Sequence, residues 1–261
     1  MEALINLVLK IGTFFAKWLG DFDKDIIYIN CNKKYVDKRD VEKLIGLEGK
    51  KYIHIKTPPE LSSKRKKRHF NLMKFYLILI QKSKKYNKQI YYSGFSSVPF
   101  TVYDGYCFND NTNVTFLENN KDIQTKYLVN RSFFKSECMS FNVDSINSTN
   151  DVNVVINSSF NINSELLPKR DTITVDLNMN EEIITNEYLQ KVYSTCYKLF
   201  NDLQVMGIKN IHLYIAARQC VSFVIGTAID KRHPNLYCYE FEKNKYTWSV
   251  DIINGKVKEN E

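Results

Sequence analysis

Several familiar phosphate- and metal-binding devices are missing from this sequence. With 9 glycines in 261 residues and no G-x-x-x-x-G-K-[ST], a glycine-rich phosphate loop is all but excluded. There is no H-E-x-x-H and no G-x-S-x-G, which removes the common zinc-protease and serine-hydrolase constellations. The 6 cysteines form no C-x-x-C pair, so neither a zinc ribbon nor a thioredoxin-type motif is available. Cys31, Cys107, Cys138, Cys196, Cys220 and Cys238 are widely scattered, and most of them read as reduced core thiols of a cytosolic protein. A long uncharged apolar run is absent too. The most apolar stretch, Met1 to Gly20, lacks a basic signal-peptide start and is broken by Asn6, Lys10 and Lys17, whereas a membrane span needs about 20 largely uncharged residues. It reads as an amphipathic helix, packed on its own body or a partner, laid on a membrane, or spanning one.

What remains is an ordinary globular composition, 44% hydrophobic and 25% charged, which is neither disordered nor fibrous. The length allows one large domain or two small ones. Lys and Arg number 37 against 29 Asp and Glu, a formal charge of +8. That surplus favours an anionic partner, whether nucleic acid, nucleotide or membrane headgroup.

The chain repeats itself. Gln89–Phe108, QIYYSGFSSVPFTVYDGYCF, and Asn210–Ile229, NIHLYIAARQCVSFVIGTAI, align without a gap at an offset of 226 − 105 = 121, set by Gly105 and Gly226. Each block is an apolar run, then small or polar residues, then a second apolar stretch with a glycine near its end, which predicts strand, tight loop, short helix. A helical apolar period precedes each block: Phe70, Met73, Leu77 and Ile80 in the first, Leu189, Val192, Cys196, Leu199 and Leu203 in the second. The second long helix should start near Thr185 or Asn186 and stop at Gly207. Strand-type runs stand before the long helices at Lys51–Lys56 and Thr172–Leu177. Others follow the blocks at Val114–Leu117, Tyr127–Val129, Leu236–Phe241 and Tyr246–Val250. The fold class is therefore α/β, two fused Rossmann-like halves with a more antiparallel edge. The boundaries read are an N-terminal helix at 1–24, a first half at 25–141, an Asn/Ser-rich linker with one or two strands at 142–164, and a second half at 165–261.

In such a sheet, ligands sit beyond the carboxyl ends of the strands. Those ends fall at Lys56–Pro59, Ser93–Ser97, Asn178–Asn180 and Ala216–Gln219. Both strand-loop-helix corners present free backbone N–H groups and the positive end of a helix dipole, an anion site in outline. Ser96, Ser97 and Gln219 add uncharged donors, Arg218 adds a forked cation, and Phe95 can stack on a purine. A solvated arginine is the plainer reading of Arg218, and a solvated helix start that of Lys64–His69, although cations there oppose the dipole and call for an anion nearby. Asp104 and Asp110 have no second carboxylate or histidine at a useful spacing. His54 and His212 lie in strand-type runs and read as satisfied histidines. No catalytic dyad, metal set or cofactor motif is legible, so the site reads as a binder rather than a reactor.

The block Tyr91–Gly105, followed by the Val114–Leu117 strand, resembles the signature of SAVED domains: a strand, a small-residue loop, a proline opening a short helix and a glycine closing it. His212–Gly226 with Tyr237–Phe241 and Tyr246 is similar to the C-terminal half of the same domain. The resemblance covers roughly Asp25 to Ile252, with Cys220 standing where the family often has proline. It implies two fused CARF-like halves and a sensor of cyclic oligonucleotide messengers in antiphage defence of the CBASS or type III CRISPR kind. It also implies ligand contacts at Phe95, Ser96, Ser97, Ala217, Arg218 and Gln219, flanked by Thr57 and Met179. A cyclic tri- or tetranucleotide carries three or four negative charges, which suits a basic cleft. No effector domain fits within the chain, so the expected output is a change of oligomeric state, an effector acting in trans, or the N-terminal helix on a partner or membrane. Two other readings stay open: a ring nuclease that cleaves its messenger, and a general nucleic-acid binder using Lys64–His69.

Overall fold

The computed structural model describes residues 26–32, 51–57, 62–82, 89–109, 114–119, 124–129, 137–144, 146, 150–177 and 184–259. The N-terminal helix expected at 1–24 lies outside them, as does Met179.

The described chain forms two sheets. In the first, strands β1 (Ile26–Asn32), β2 (Lys51–Thr57), β3 (Ile90–Phe95), β4 (Val114–Asn119) and β5 (Gln124–Val129) stand in the order β2-β1-β3-β4-β5. The first four are parallel and β5 is antiparallel. In the second, β6 (Asp151–Asn157), β7 (Asp171–Asp176), β8 (Asn210–Ala216), β9 (Asn235–Glu242), β10 (Lys245–Asp251) and β11 (Lys256–Glu259) stand in the order β7-β6-β8-β9-β10-β11. Here β7, β6, β8 and β9 are parallel and the last two strands antiparallel. The two orders are the same topology, with β11 added at one edge. The repeat therefore holds element for element, with one strand more in the first half (β1) and two more in the second (β6 and β11) than the repeating sequence pattern gave. Before each strand-type run at β2 and β7 comes β1 or β6, and β6, in the stretch read as linker and strand, is an interior strand of its sheet.

Among the described residues four α-helices accompany the sheets: α1 (Ser63–Lys82), α2 (Val98–Phe108), α3 (Asn186–Val205) and α4 (Gln219–Thr227). The long helices follow the apolar period, burying Phe70, Met73, Leu77 and Ile80 on α1 and Leu189, Val192, Cys196, Leu199 and Leu203 on α3. The Thr185 hydroxyl accepts from the Tyr188 N–H to cap α3, and Gly207, at φ +80, lies just past its end, as the sequence predicts.

The short helices join the halves. A Cβ on Gly105 would lie 2.0 Å from the Phe223 carbonyl oxygen, and one on Gly226 would lie 2.1 Å from that of Val102. Val102 and Phe223 are themselves separated by the repeat offset, so the two contacts are images of each other. Thr101 also touches Gln219 near the helix starts, and Asn109 Nδ2 donates to the Ile229 carbonyl at 2.6 Å near their ends. α2 and α4 thus run side by side in the same direction. Each inserts an aromatic ring into the opposite half: Phe223 packs on Tyr92 and Phe116 at ring separations of 4.4 and 5.5 Å, and Phe100 packs on Trp248 at 5.0 Å. One continuous core results. Because the helices are parallel, both sets of parallel strands end on the same side of the molecule.

Candidate functional site: a cleft at the strand ends

The corner after β3 is a buried one. Ser97 occupies the cap position of α2 with extended backbone (φ −61, ψ 148) but makes no side-chain cap. Ser96 is 8% exposed, and the hydroxyl oxygens of both Ser96 and Ser97 are buried with no hydrogen-bond partner among the described residues. An unmade bond of this kind costs about 1–3 kcal/mol. Two adjacent ones at a helix start are donors suited to an incoming acceptor.

The equivalent corner after β8 places Arg218 at the cap of α4, again extended (φ −63, ψ 158) and again without a side-chain cap. The symmetry extends to detail: Thr101 Oγ1 donates to the Ser97 carbonyl at 3.4 Å, and its counterpart Ser222 Oγ donates to the Arg218 carbonyl at 3.2 Å. Arg218 lies near Tyr188, whose phenol sits beside Ser158 Oγ at 3.1 Å. Burial raises the Tyr188 phenol, while the Ser158 bond and the Arg218 charge act to lower it.

Gln219 ties the two corners together. Its Nε2 donates to the Ser96 carbonyl at 2.9 Å and its Oε1 accepts from Thr101 Oγ1 at 2.5 Å. Residues far apart in the chain, Ser96, Ser97, Ala217, Arg218 and Gln219, are therefore brought to one place. Thr57 and Phe95 end β2 and β3 in the same sheet, paired to β1 through Asn32 and Cys31.

The corners differ in one respect the sequence reading missed. Glu240, near the end of β9, reaches across and its Oε2 accepts the Val98 N–H at 2.9 Å. One first-turn donor of α2 is thus already bound to a carboxyl oxygen. Burial, and then the charge of Glu242, push Glu240 up to about 8, against the opposing pull of the Val98 N–H and Lys66, so Glu240 holds a proton near neutral pH. Glu242 in turn accepts from Trp248 Nε1 and Thr247 Oγ1, both at 3.1 Å, and faces Lys66 Nζ at 3.5 Å. Lys66 also lies 4.9 Å over the Trp248 ring. This resolves the basic run at the start of α1: Lys64, Arg65, Lys67 and Arg68 are exposed, whereas Lys66 turns inward to the anion its helix end lacked. A pair of glutamates two apart, Glu240 and Glu242, ending an apolar and aromatic strand was the available signal.

Other singled-out residues have structural roles. Asp104 is fully buried within α2 and accepts from Tyr92 OH at 2.8 Å and Tyr28 OH at 3.2 Å. His212 bridges Tyr239 OH at 2.8 Å and Asp151 Oδ1 at 3.0 Å, the satisfied histidine expected. Burial holds its pKa below the usual value, against the opposing Asp151 bond. Among the described residues no group of acidic, histidine or cysteine side chains forms a metal set, and no helix is long and apolar enough to cross a membrane. A cavity of about 500 Å³ lies at the other end of the short helices, beside Tyr106, Cys107, Asn109 and Asp230. Helix carbonyl ends and Asp230 there face Lys74 and Lys231 across the same lining.

A family profile for SAVED, the SMODS-associated and fused to various effectors sensor domain, matches residues 78–252. No curated protein matches the chain. Among solved structures, the fold is similar to the Acinetobacter baumannii Cap4 SAVED/CARF-domain containing receptor with the cyclic trinucleotide 2′3′3′-cAAA, at 13% identity and a TM-score of 0.61 over 86% of this chain and 50% of that one. The same receptor with 3′3′3′-cAAA matches at 12% identity and 0.61, over 86% and 51%. The Moraxella osloensis Cap4 receptor matches at 15% identity and 0.55, over 86% and 49%. This chain spans about half the length of these receptors. With the family profile covering most of its length, the two-halved chain belongs to the SAVED family.

Proposed function

We propose that this protein is a sensor of a cyclic oligonucleotide messenger, a cyclic tri- or tetranucleotide, acting in antiphage defence and binding its ligand across the junction of its two halves. One observation carries the reading: Gln219 joins two helix starts that between them hold two unpartnered buried hydroxyls and an arginine. Family membership and the cyclic trinucleotides bound by the Acinetobacter baumannii receptor support the ligand class.

In this reading Ser96 and Ser97 donate to one phosphate, Arg218 grips another from the opposite corner, and the Ala217 and Gln219 backbone contributes the free end of α4. Phe95 stacks on a base, with Thr57 and Met179 flanking. Glu240 already occupies the Val98 N–H of the α2 start, so the stronger phosphate contact falls to Arg218. The signal is passed on through a change of oligomeric state or an effector in trans. Calorimetric titration with cyclic di-, tri- and tetranucleotides and with linear controls of the same bases tests this. Tight binding confined to rings is expected; no binding across the panel, or equal binding of linear controls, refutes it.

A further inference from the structure

Helix α1 leaves a stripe of large apolar side chains in solvent: Leu72, Phe75 and Ile78 are 45%, 44% and 48% exposed. The spacing puts all three on one face, away from the buried Met73, Leu77 and Ile80. Such a stripe on an isolated helix face marks a surface that something covers.

The internal repeat indicates what. Superposing the buried positions of α1 on those of α3 pairs Phe70, Met73, Leu77 and Ile80 with Tyr193, Cys196, Phe200 and Leu203, all buried. In the same register, Leu72 and Phe75 correspond to Thr195 and Lys198. On α3 Thr195 is fully buried, while Lys198 keeps its ammonium in solvent and runs alongside the same covering segment. The segment leading into β6 lays Met139, Phe141 and Val143 against the core. Its Met139 N–H donates to Thr195 Oγ1 at 2.8 Å, and Lys198 Nζ sits 5.0 Å over the Phe141 ring. Each half should thus be closed by the segment that leads into its first strand.

We infer that the stripe on α1 is the docking surface for the chain's own segment before β1, centred on Phe14, Phe15, Trp18 and Leu19. Phe14 and Trp18 stand as far before Ile26 as Met139 and Val143 stand before Asp151. The chemistry changes together on both sides. Where α3 offers a hydroxyl and an ammonium to a mixed segment, α1 offers Leu and Phe to a segment rich in aromatic and aliphatic residues. The occupant is thus intramolecular rather than a lipid surface or a second copy, and it rests on the helix that delivers Lys66 to Glu242.

The two tryptophans of the chain report on this directly, because Trp248 is 1% exposed and Trp18 belongs to the segment. Acrylamide quenching of the full chain should find both protected. In Leu72→Glu/Phe75→Glu one of the two should become quenchable with a red-shifted emission, at an unchanged sedimentation coefficient. Trp18 freely quenched in the wild type, or protected equally in the variant, overturns the inference. Dissociation of a wild-type dimer in the variant assigns the stripe to a second copy and also overturns it. A second measurement spares the stripe charge: Trp18→Cys/Phe75→Cys in a Cys138→Ser background, treated with a short bis-maleimide, should give an intrachain link. Only interchain links, or none, contradict docking.

Discussion

Replacing Gly105 by alanine tests the junction on which the cleft depends. The added methyl would stand 2.0 Å from the Phe223 carbonyl oxygen, where ordinary contact begins at 3.4 Å, so the helices must part by about 1.4 Å. The obstructing atom is backbone in a buried helix and cannot swing aside. Overpacking of a tight core costs roughly 1–3 kcal/mol and occasionally more. The rigid neighbour puts this site at the upper end, while alanine regains about 1 kcal/mol of helix propensity over glycine. A net loss of about 2 kcal/mol follows, a fall in Tm of roughly 4–8 °C for a chain of this size. Gly226→Ala, facing Val102 at 2.1 Å, should cost the same within about 1 kcal/mol. The double variant should cost less than the sum, because one separation of the helices relieves both clashes. Urea unfolding followed by circular dichroism measures all three. Either single variant within about 0.5 kcal/mol of wild type, or strict additivity of the pair, would refute the shared-junction argument.

Three further outcomes are expected. Arg218→Ala should weaken binding of a cyclic trinucleotide by roughly 30- to 1,000-fold, as loss of a charged phosphate contact costs about 2–4 kcal/mol; a change under about threefold in calorimetry removes Arg218 from the site. Glu240, held near 8, gains charge beside the α2 start as pH rises from 7 to 9, so affinity for an anionic ligand should fall by roughly three- to tenfold over that interval. Glu240→Gln should flatten that dependence, and an unchanged slope in the variant would separate Glu240 from the ligand. Burial lowers both His69 and His233 to about 4. The unfolded chain therefore takes up protons that the fold refuses as pH falls from 6.5 towards 4, and stability declines over that window by up to about 1.4 kcal/mol per pH unit per histidine. His69→Phe should shallow the decline in denaturant titrations at pH 7, 5.5 and 4, and an equal slope would count against it.

Much of the architecture was legible because its signals are local. The two helical apolar periods and the two strand-loop-helix blocks each occupy a short window, and laying one block on the other exposes the 121-residue offset and the Gly105–Gly226 pair that the fold brings into contact. The opening strands were harder to read. β1 is a seven-residue run with three aspartates before it and two asparagines near its end, a short polar-flanked stretch that also suits a connection, and β6 sits among asparagines and serines that suggest the same. At the site, the corner residues could be named because parallel strands must end where their helices begin. What no window contains is a reach across the fold. Glu240 bonds Val98 from 142 positions away in sequence, and Lys66 faces Glu242 from 176 away. Those contacts exist only once the second half packs on the first, and they are what make the two corners unequal.

The central claim is that both halves contribute to one ligand site, and the most direct measurement of it is binding stoichiometry combined with substitution on either side. Titration with a cyclic trinucleotide should give one ligand per chain. Ser96→Ala/Ser97→Ala in the first half and Arg218→Ala in the second should each weaken that single event. Two ligands per chain, or binding lost from one half and untouched by substitution in the other, would contradict a shared cleft.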